Sequence, residues 1–412
     1  MKSMIVLPLL TAVSAFRIPK TSLWDRGSDV GPFTIADVLK DQLVYIADEE
    51  AVDVDPLGDH DHEEPTLSIY ELISKSEHTT KFAGLVDEHE EIVQLLNNTD
   101  AKYTLFVPGN RAFEHLPGDK KPDADFLKAL IKYHVADGEF SARELVHTNT
   151  VPTIVNEKLL GGEPQRLRAS FGFGGLNINF YAKVVKPNIA QRATNGVIHA
   201  LNHILVPPAM VGRELTFFPS HFSTLLYAYE KTNFVEFIHN VKLNGSTIFV
   251  PDNHAFERLG AKANGFLFNT EKGRCILKAL LKYQIVANVT LYSDAVYGDV
   301  DKTISARGIH RDHYDLVTLL NGKHLSVDVT RFGGFTSLTV NGKVPVVARD
   351  AVAKNGVIQV VGKVPLPPHK HHDHHGHHGD HDHEEGEIEI EDLVERLQDY
   401  IDEDDEEWVG EL

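Results

Sequence analysis

The eleven residues Tyr103-Thr104-Leu105-Phe106-Val107-Pro108-Gly109-Asn110-Arg111-Ala112-Phe113 recur as Ser246-Thr247-Ile248-Phe249-Val250-Pro251-Asp252-Asn253-His254-Ala255-Phe256. Each copy holds a β-branched and aromatic run that halts at proline, which reads as a strand entering a turn. Working outward, Lys128-Ala129-Leu130-Ile131-Lys132-Tyr133-His134 matches Lys278-Ala279-Leu280-Leu281-Lys282-Tyr283-Gln284. Further on, Asn195-Gly196-Val197-Ile198-His199, running to Val206-Pro207-Pro208, matches Asn355-Gly356-Val357-Ile358-Gln359, running to Leu366-Pro367-Pro368. The blocks keep their order at offsets of 143, 150 and 160 residues. A unit of that size is one ordinary domain; solenoid repeats are only about 20–50 residues long. The chain is therefore a tandem pair, and the matched apolar positions mark Phe106, Val107, Phe113, Phe249, Val250 and Phe256 as core.

Within each copy the hydrophobic period changes from helical to extended. Leu67, Tyr70, Ile73, Phe82, Leu85, Ile92 and Leu96 fall at helical spacings, as do Phe222, Leu225, Leu226, Tyr229, Phe237, Ile238 and Val241 in the second copy. Later, Leu176-Asn177-Ile178-Asn179-Phe180 and Leu325-Ser326-Val327-Asp328-Val329 alternate with period two, as half-buried strands do. Asn195-Gly196 and Asn355-Gly356 are dipeptides suited to positive φ in a tight hairpin, each preceding the last apolar strand. The fold class is α+β, helices first and sheet later.

The three repeated blocks resemble the fasciclin-like domain, an extracellular α+β module linked to cell adhesion and the cell surface. They look like its opening strand and turn, its Tyr-His segment and its closing Asn-Gly-x-Ile strand. The resemblance covers residues 65–209 as a first domain and 215–368 as a second. It implies two tandem fasciclin-like domains, and as partner a cell-surface, matrix or membrane-associated protein or glycan, or a second copy of the chain. The second copy departs from the pattern, with Gln284 where the first has His134.

The N-terminus has the layout of a secretory signal peptide over residues 1–15: Lys2, an apolar run from Met4 to Leu10, then small residues up to Ala15. That run is too short to span a bilayer, which takes about 20 apolar residues. Sequons at Asn97, Asn244 and Asn288 fit the same route as glycosylation sites. A secreted, extracellular or cell-surface location is expected, with a vacuole or lysosome lumen as the alternative. The lone Cys275 has no internal disulfide partner and sits in an apolar helical pattern, so it reads as a buried small hydrophobe. Stability must come from the cores.

Charge sets apart residues 369–412, a His-rich acidic tail that reads as disordered apart from a short helix. It holds 18 Asp and Glu against 2 Lys and Arg, a net −16 of the chain's −20. Nucleic acid, which needs clustered cations, is excluded as a partner. The tail opens with His369, His371, His372, His374, His375, His377, His378, His381 and His383. Its Gly379-Asp380-His381-Asp382-His383-Glu384-Glu385 repeats Gly58-Asp59-His60-Asp61-His62-Glu63-Glu64 from the acidic segment 16–64. Imidazole and carboxylate ligands suit Zn²⁺, Ni²⁺ or Cu²⁺, which makes His60, His62 and His371 to His383 candidate metal ligands. The competing readings are a solvated linker and a tract that gains positive charge on acidification. Near each heptad lies an apolar stripe at helical spacing, over Ile35 to Ile46 and Ile390 to Ile401, which either docks on its neighbouring domain or binds a partner.

Signs of catalysis are lacking. The sequence holds no Gly-x-Ser-x-Gly, no His-Glu-x-x-His and no Gly-x-x-x-x-Gly-Lys-Ser/Thr. Gly172, Gly174 and Gly175 suit close packing or a bulge better than a nucleotide loop, and His134 reads as a hydrogen-bonded structural histidine. No cofactor is required. Two functions follow as expectations: a non-catalytic secreted or lumenal adhesion or interaction protein acting through its paired domains, or a metal-handling protein that uses its tail.

Overall fold

The computed structural model describes residues 64–114, 123–172, 175–185, 191–300, 302–304, 310–332, 335–369 and 388–401. The signal-peptide layout, the N-terminal helical stripe, His60 and His62, and the tract from His371 to His383 lie outside the described residues.

Each copy opens with three helices, at Ile69–Lys75, Thr80–Asp87 and Glu90–Asn97 in the first and at Val211–Thr216, Pro219–Lys231 and Phe234–Asn240 in the second. Ser68 caps the first helix by accepting from the Glu71 N–H at 3.1 Å, while the Glu71 carboxylate accepts from the Ser68 N–H at 2.9 Å. The helical stripe is real, but its buried line differs from the one expected. Ile69, Ile73, Phe82, Val86, Ile92 and Leu96 face the core, whereas Leu67, Tyr70 and Leu85 are half-buried at its edge. In the second copy Phe222, Leu225, Tyr229 and Phe234 are buried, and Leu226, Phe237, Ile238 and Val241 are half-buried.

The first sheet contains β1 (Tyr103–Pro108), β2 (Val135–Asp137), β3 (Thr150–Asn156), β4 (Pro164–Gly172), β5 (Gly175–Ile178), β6 (Ala182–Lys183), β7 (Gln191–Ala193) and β8 (Gly196–Leu201), in the order β6-β5-β4-β3-β2-β1-β8-β7. In the second copy β9 (Ser246–Pro251), β10 (Ile285–Ala287), β13 (Lys302–Ile304), β14 (His310–Val317), β15 (His324–Phe332), β16 (Phe335–Val340), β17 (Val344–Ala353) and β18 (Gly356–Val361) form a sheet ordered β10-β9-β18-β17-β16-β15-β14-β13. A two-stranded ribbon joins β11 (Thr290–Leu291) to β12 (Val296–Tyr297). The opening strand lies parallel to the closing one in both copies, β1 beside β8 and β9 beside β18. The strand of the repeated block is therefore internal to its sheet, between β2 and β8 in the first copy and between β10 and β18 in the second. Phe106, Val107, Phe249, Val250 and Phe256 are buried, but Phe113 is only half-buried, because it ends a short 3-10 turn at the domain surface.

The Asn-Gly pairs work differently from the hairpin reading. The two-residue loops are Thr194-Asn195 and Lys354-Asn355, and each glycine is the first residue of the strand that follows. A Cβ on Gly196 would stand 1.8 Å from the Tyr103 carbonyl oxygen, and one on Gly356 would stand 2.2 Å from that of Ser246. Close approach to the parallel neighbour is what requires glycine there. The asparagines are hubs: Asn195 accepts from the Ile69 N–H at 2.9 Å and donates to the Leu96 carbonyl at 2.7 Å, and Asn355 accepts from the Val211 N–H at 2.9 Å. Gly172 and Gly175 pair at the β4–β5 hairpin, where nothing lies within 4 Å of a Cβ on Gly172 and Gly175 has φ +91°; a turn, not close packing, accounts for them. Cys275, on the helix Glu271–Tyr283, is half-buried rather than buried.

The helix Ile390–Leu397 docks on the second domain. Leu393 and Leu397 are fully buried against the helices Glu271–Tyr283 and Ala261–Asn269. The Ile388 N–H donates to the Leu259 carbonyl at 3.2 Å, Arg396 reaches the Pro367 carbonyl at 3.0 Å, and Lys323 lies 5.0 Å from the Tyr400 ring centre. The docking reading of the C-terminal stripe holds, and the helix completes the core of the second copy.

Candidate functional site

Polar contacts lock the two domains together. Asp294 accepts from the Asn149 and Thr150 N–H groups at 3.0 and 2.7 Å. Arg166 donates to Tyr297 Oη at 3.1 Å, with its guanidinium 5.5 Å from the Tyr292 ring centre. Gln165 donates to the Ala353 carbonyl at 3.2 Å, Arg168 to the Arg349 carbonyl at 2.8 Å, and the Gly245 N–H to the Leu159 carbonyl at 2.7 Å.

Beside these contacts the domains enclose a cavity of about 350 Å³. The second sheet supplies its floor through Ala348, Ala351 and Val352 of β17 and Ile358 and Val360 of β18. The helices from Glu214 to Phe222 make one wall; the turn Asn179-Phe180-Tyr181 of the first domain and the linker Val206-Pro207-Pro208 make the other. Arg168 stacks 4.3 Å from the Phe180 ring centre, and Tyr181 Oη accepts from the Val206 N–H at 3.0 Å, so that wall is held in place. Two carboxyl residues, Glu214 and Asp252, line the cavity. Glu214 accepts from the Ala209 N–H at 2.6 Å, and burial pushes its pKa up from 4.5 to about 8 against the pull of that hydrogen bond and of Arg213.

His134 lies apart from the cavity, in the first core. It is buried, with Nδ1 2.7 Å from the Leu130 carbonyl oxygen and Nε2 accepting from the Leu205 N–H at 2.9 Å. These partners require a proton on Nδ1 and a lone pair on Nε2. Burial lowers its pKa from 6.5 to about 4, so the ring is neutral and structural. His199, stacked 5.6 Å from Phe106 and bonded to the Phe140 carbonyl at 2.8 Å, is depressed for the same reason. The second copy fills both places with amides, Gln284 and Gln359, each buried.

The three sequon asparagines are exposed: Asn97 ends the helix Glu90–Asn97, and the Asn244 N–H donates to Asn288 Oδ1 at 2.9 Å, so two of them are neighbours. Among the described residues no group of three or more His, Cys, Asp or Glu side chains is arranged to hold a metal. No described helix is long and apolar enough to cross a membrane. Neither the cavity nor Glu214 was visible in the sequence. Glu214 belongs to no motif there, and part of the opposite wall, Asn179 to Tyr181, comes from residues more than thirty positions earlier.

The arrangement defines a tandem pair of like α+β domains, docked through polar contacts around an apolar cavity. The fasciclin domain matches residues 77–207 and 220–367, and the chain belongs to that family. It is similar to the aurofusarin biosynthesis cluster protein S of Gibberella zeae, 30% identical over 84% of this chain and 90% of that one. It is also similar to the fasciclin-like arabinogalactan protein elcF of Phaeosphaeria nodorum, 27% identical over 65% of this chain and 78% of that one. Periostin of Homo sapiens is 24% identical over 64% of this chain, which spans only 28% of periostin.

Proposed function

We propose that this protein is a secreted or lumenal, non-catalytic interaction protein whose docked fasciclin domains present one rigid surface to a cell-surface or matrix partner. The observation that carries this reading is the clamp of Asp294, Arg166 and Arg168, which makes one body of two family members. Two of the buried histidines, His134 and His199, support it, since each bonds a backbone carbonyl. The exposed Phe171, Phe332 and Phe335 at the tips of the β4–β5 and β15–β16 hairpins offer apolar contact area of the kind interaction surfaces use. Exposed sequons at Asn97, Asn244 and Asn288 are compatible with passage through the secretory pathway.

Two measurements test the proposal together. Mass spectrometry of protein from its native host should find an N-terminus near Phe16 and a glycan on at least one of Asn97, Asn244 and Asn288. Beads coated with the full chain should adhere to cells or matrix, and beads coated with a chain lacking residues 371–387 should adhere equally well. An intact Met1 on unmodified protein, or no adhesion by the full chain, would overturn the reading.

A further inference from the structure

The cavity between the domains has a chemical character of its own. Its aromatic residues, Phe180, Tyr181, Phe218 and Phe222, face an aliphatic floor, and at about 350 Å³ it falls in the range of small-molecule pockets, roughly 300–1,000 Å³. Phe180 and Val347, which line it, are left 45% and 58% exposed, an apolar surface that an occupant would cover. Its lining contains no Lys and no Arg. An anionic ligand such as a fatty acid would therefore meet the carboxyl groups of Glu214 and Asp252 with the His221 imidazole as the one basic side chain in the lining. Asp252 is itself engaged, accepting from the Ala255 N–H at 2.7 Å as the cap of the following helix. Of the other polar lining groups, Asn179 accepts from the Arg168 N–H at 3.0 Å and Tyr181 Oη from the Val206 N–H at 3.0 Å, which leaves Glu214, whose Oε1 accepts from Ala209, and His221 beside the apolar walls.

We infer that this cavity binds a neutral, ring-bearing apolar small molecule, with the Glu214 carboxyl hydrogen-bonding to a hydroxyl or carbonyl oxygen of the ligand. A carboxyl that holds its proton at neutral pH serves as donor or acceptor without placing a charge among apolar walls. Since the first domain supplies Asn179, Phe180 and Tyr181, the site is complete only when the domains are docked.

The test uses the full chain and two fluorescent probes of the same shape, neutral N-phenyl-1-naphthylamine and its anionic relative 8-anilinonaphthalene-1-sulfonate. The neutral probe should saturate one site and bind at least about tenfold more tightly than the sulfonate, which pays to bury its charge. Ala351→Trp, which fills the floor, should weaken the neutral probe by about tenfold or more. Val347→Glu, at an exposed position of the mouth, should do likewise without depending on how a new tryptophan packs. As competitors, 2-naphthol should outperform naphthalene by roughly 3–10-fold, the value of one hydrogen bond, and Glu214→Leu should erase that preference. Equal binding of the two probes, or neutral-probe binding untouched by both Ala351→Trp and Val347→Glu, would overturn the site. A naphthol preference that survives Glu214→Leu would overturn the role of the carboxyl.

Discussion

Acid should loosen the first domain before the second, and His134 should be the main reason. The imidazole is fully buried between the Leu130 carbonyl, which takes its Nδ1 proton, and the Leu205 N–H, which donates to Nε2. A second proton on Nε2 would set two donors against each other and place a charge in the core. The folded pKa is lowered from 6.5 to about 4, so the contribution is fully present above pH 6.5 and is lost as pH falls through about 4. At about 1.4 kcal/mol per pH unit that displacement is worth about 3 kcal/mol. The variant to compare is His134→Gln, because Gln284 occupies the matching place in the second domain, with the Phe249 N–H donating to its carbonyl just as the Phe106 N–H donates to that of His134. Amide hydrogen exchange of Leu105 to Val107 and of Ile248 to Val250, at pH 7 and pH 4, reads the two domains separately. Wild-type should lose about 3 kcal/mol more protection in the first domain than the variant does, with little difference in the second. The same pH dependence in wild-type and variant would refute the argument.

Phe106→Ala and Phe249→Ala, each removing a fully buried ring, should cost about 3–5 kcal/mol in urea unfolding, and an unchanged midpoint would refute the core assignment. Leu393→Ala should cost about 2–5 kcal/mol in the second domain, because the C-terminal helix is part of that core. Glu214 holds its proton up to about pH 8 when folded against 4.5 when unfolded, so its contribution is fully present below pH 4.5 and is lost as pH rises through about 8. Glu214→Gln should therefore raise the Tm relative to wild-type at pH 8.5 and not at pH 4.5, as calorimetry would show. Zn²⁺ titration of the full chain should release heat that falls as pH drops through about 6.5 and that largely disappears when residues 371–387 are deleted. The deletion must spare residues 388–401, since a chain ending at Pro368 would also lose Leu393 and Leu397.

The repeated block, the two helical openings and the alternating strands were legible in the sequence because each rests on local information. Apolar residues at fixed spacing and proline at a strand end mean the same thing in any fold. The fasciclin resemblance drew on those features, and the structural place of His134 after an apolar helix was readable in the same way. What the sequence could not supply came from contacts between distant segments. Gly196 and Gly356 looked like hairpin residues, but parallel neighbours, β1 and β9, decide their need for no side chain. Phe113 and Tyr70 fit the apolar pattern, yet both are half-buried, packed against the first core from its periphery. The C-terminal stripe left docking and partner binding open until the second domain was seen to bury Leu393 and Leu397. Glu214 depended most on tertiary structure. Its raised pKa and its place in a cavity arise from a turn of the other domain and a linker closing over it, and burial of that kind belongs to the assembled fold, not to any stretch of chain.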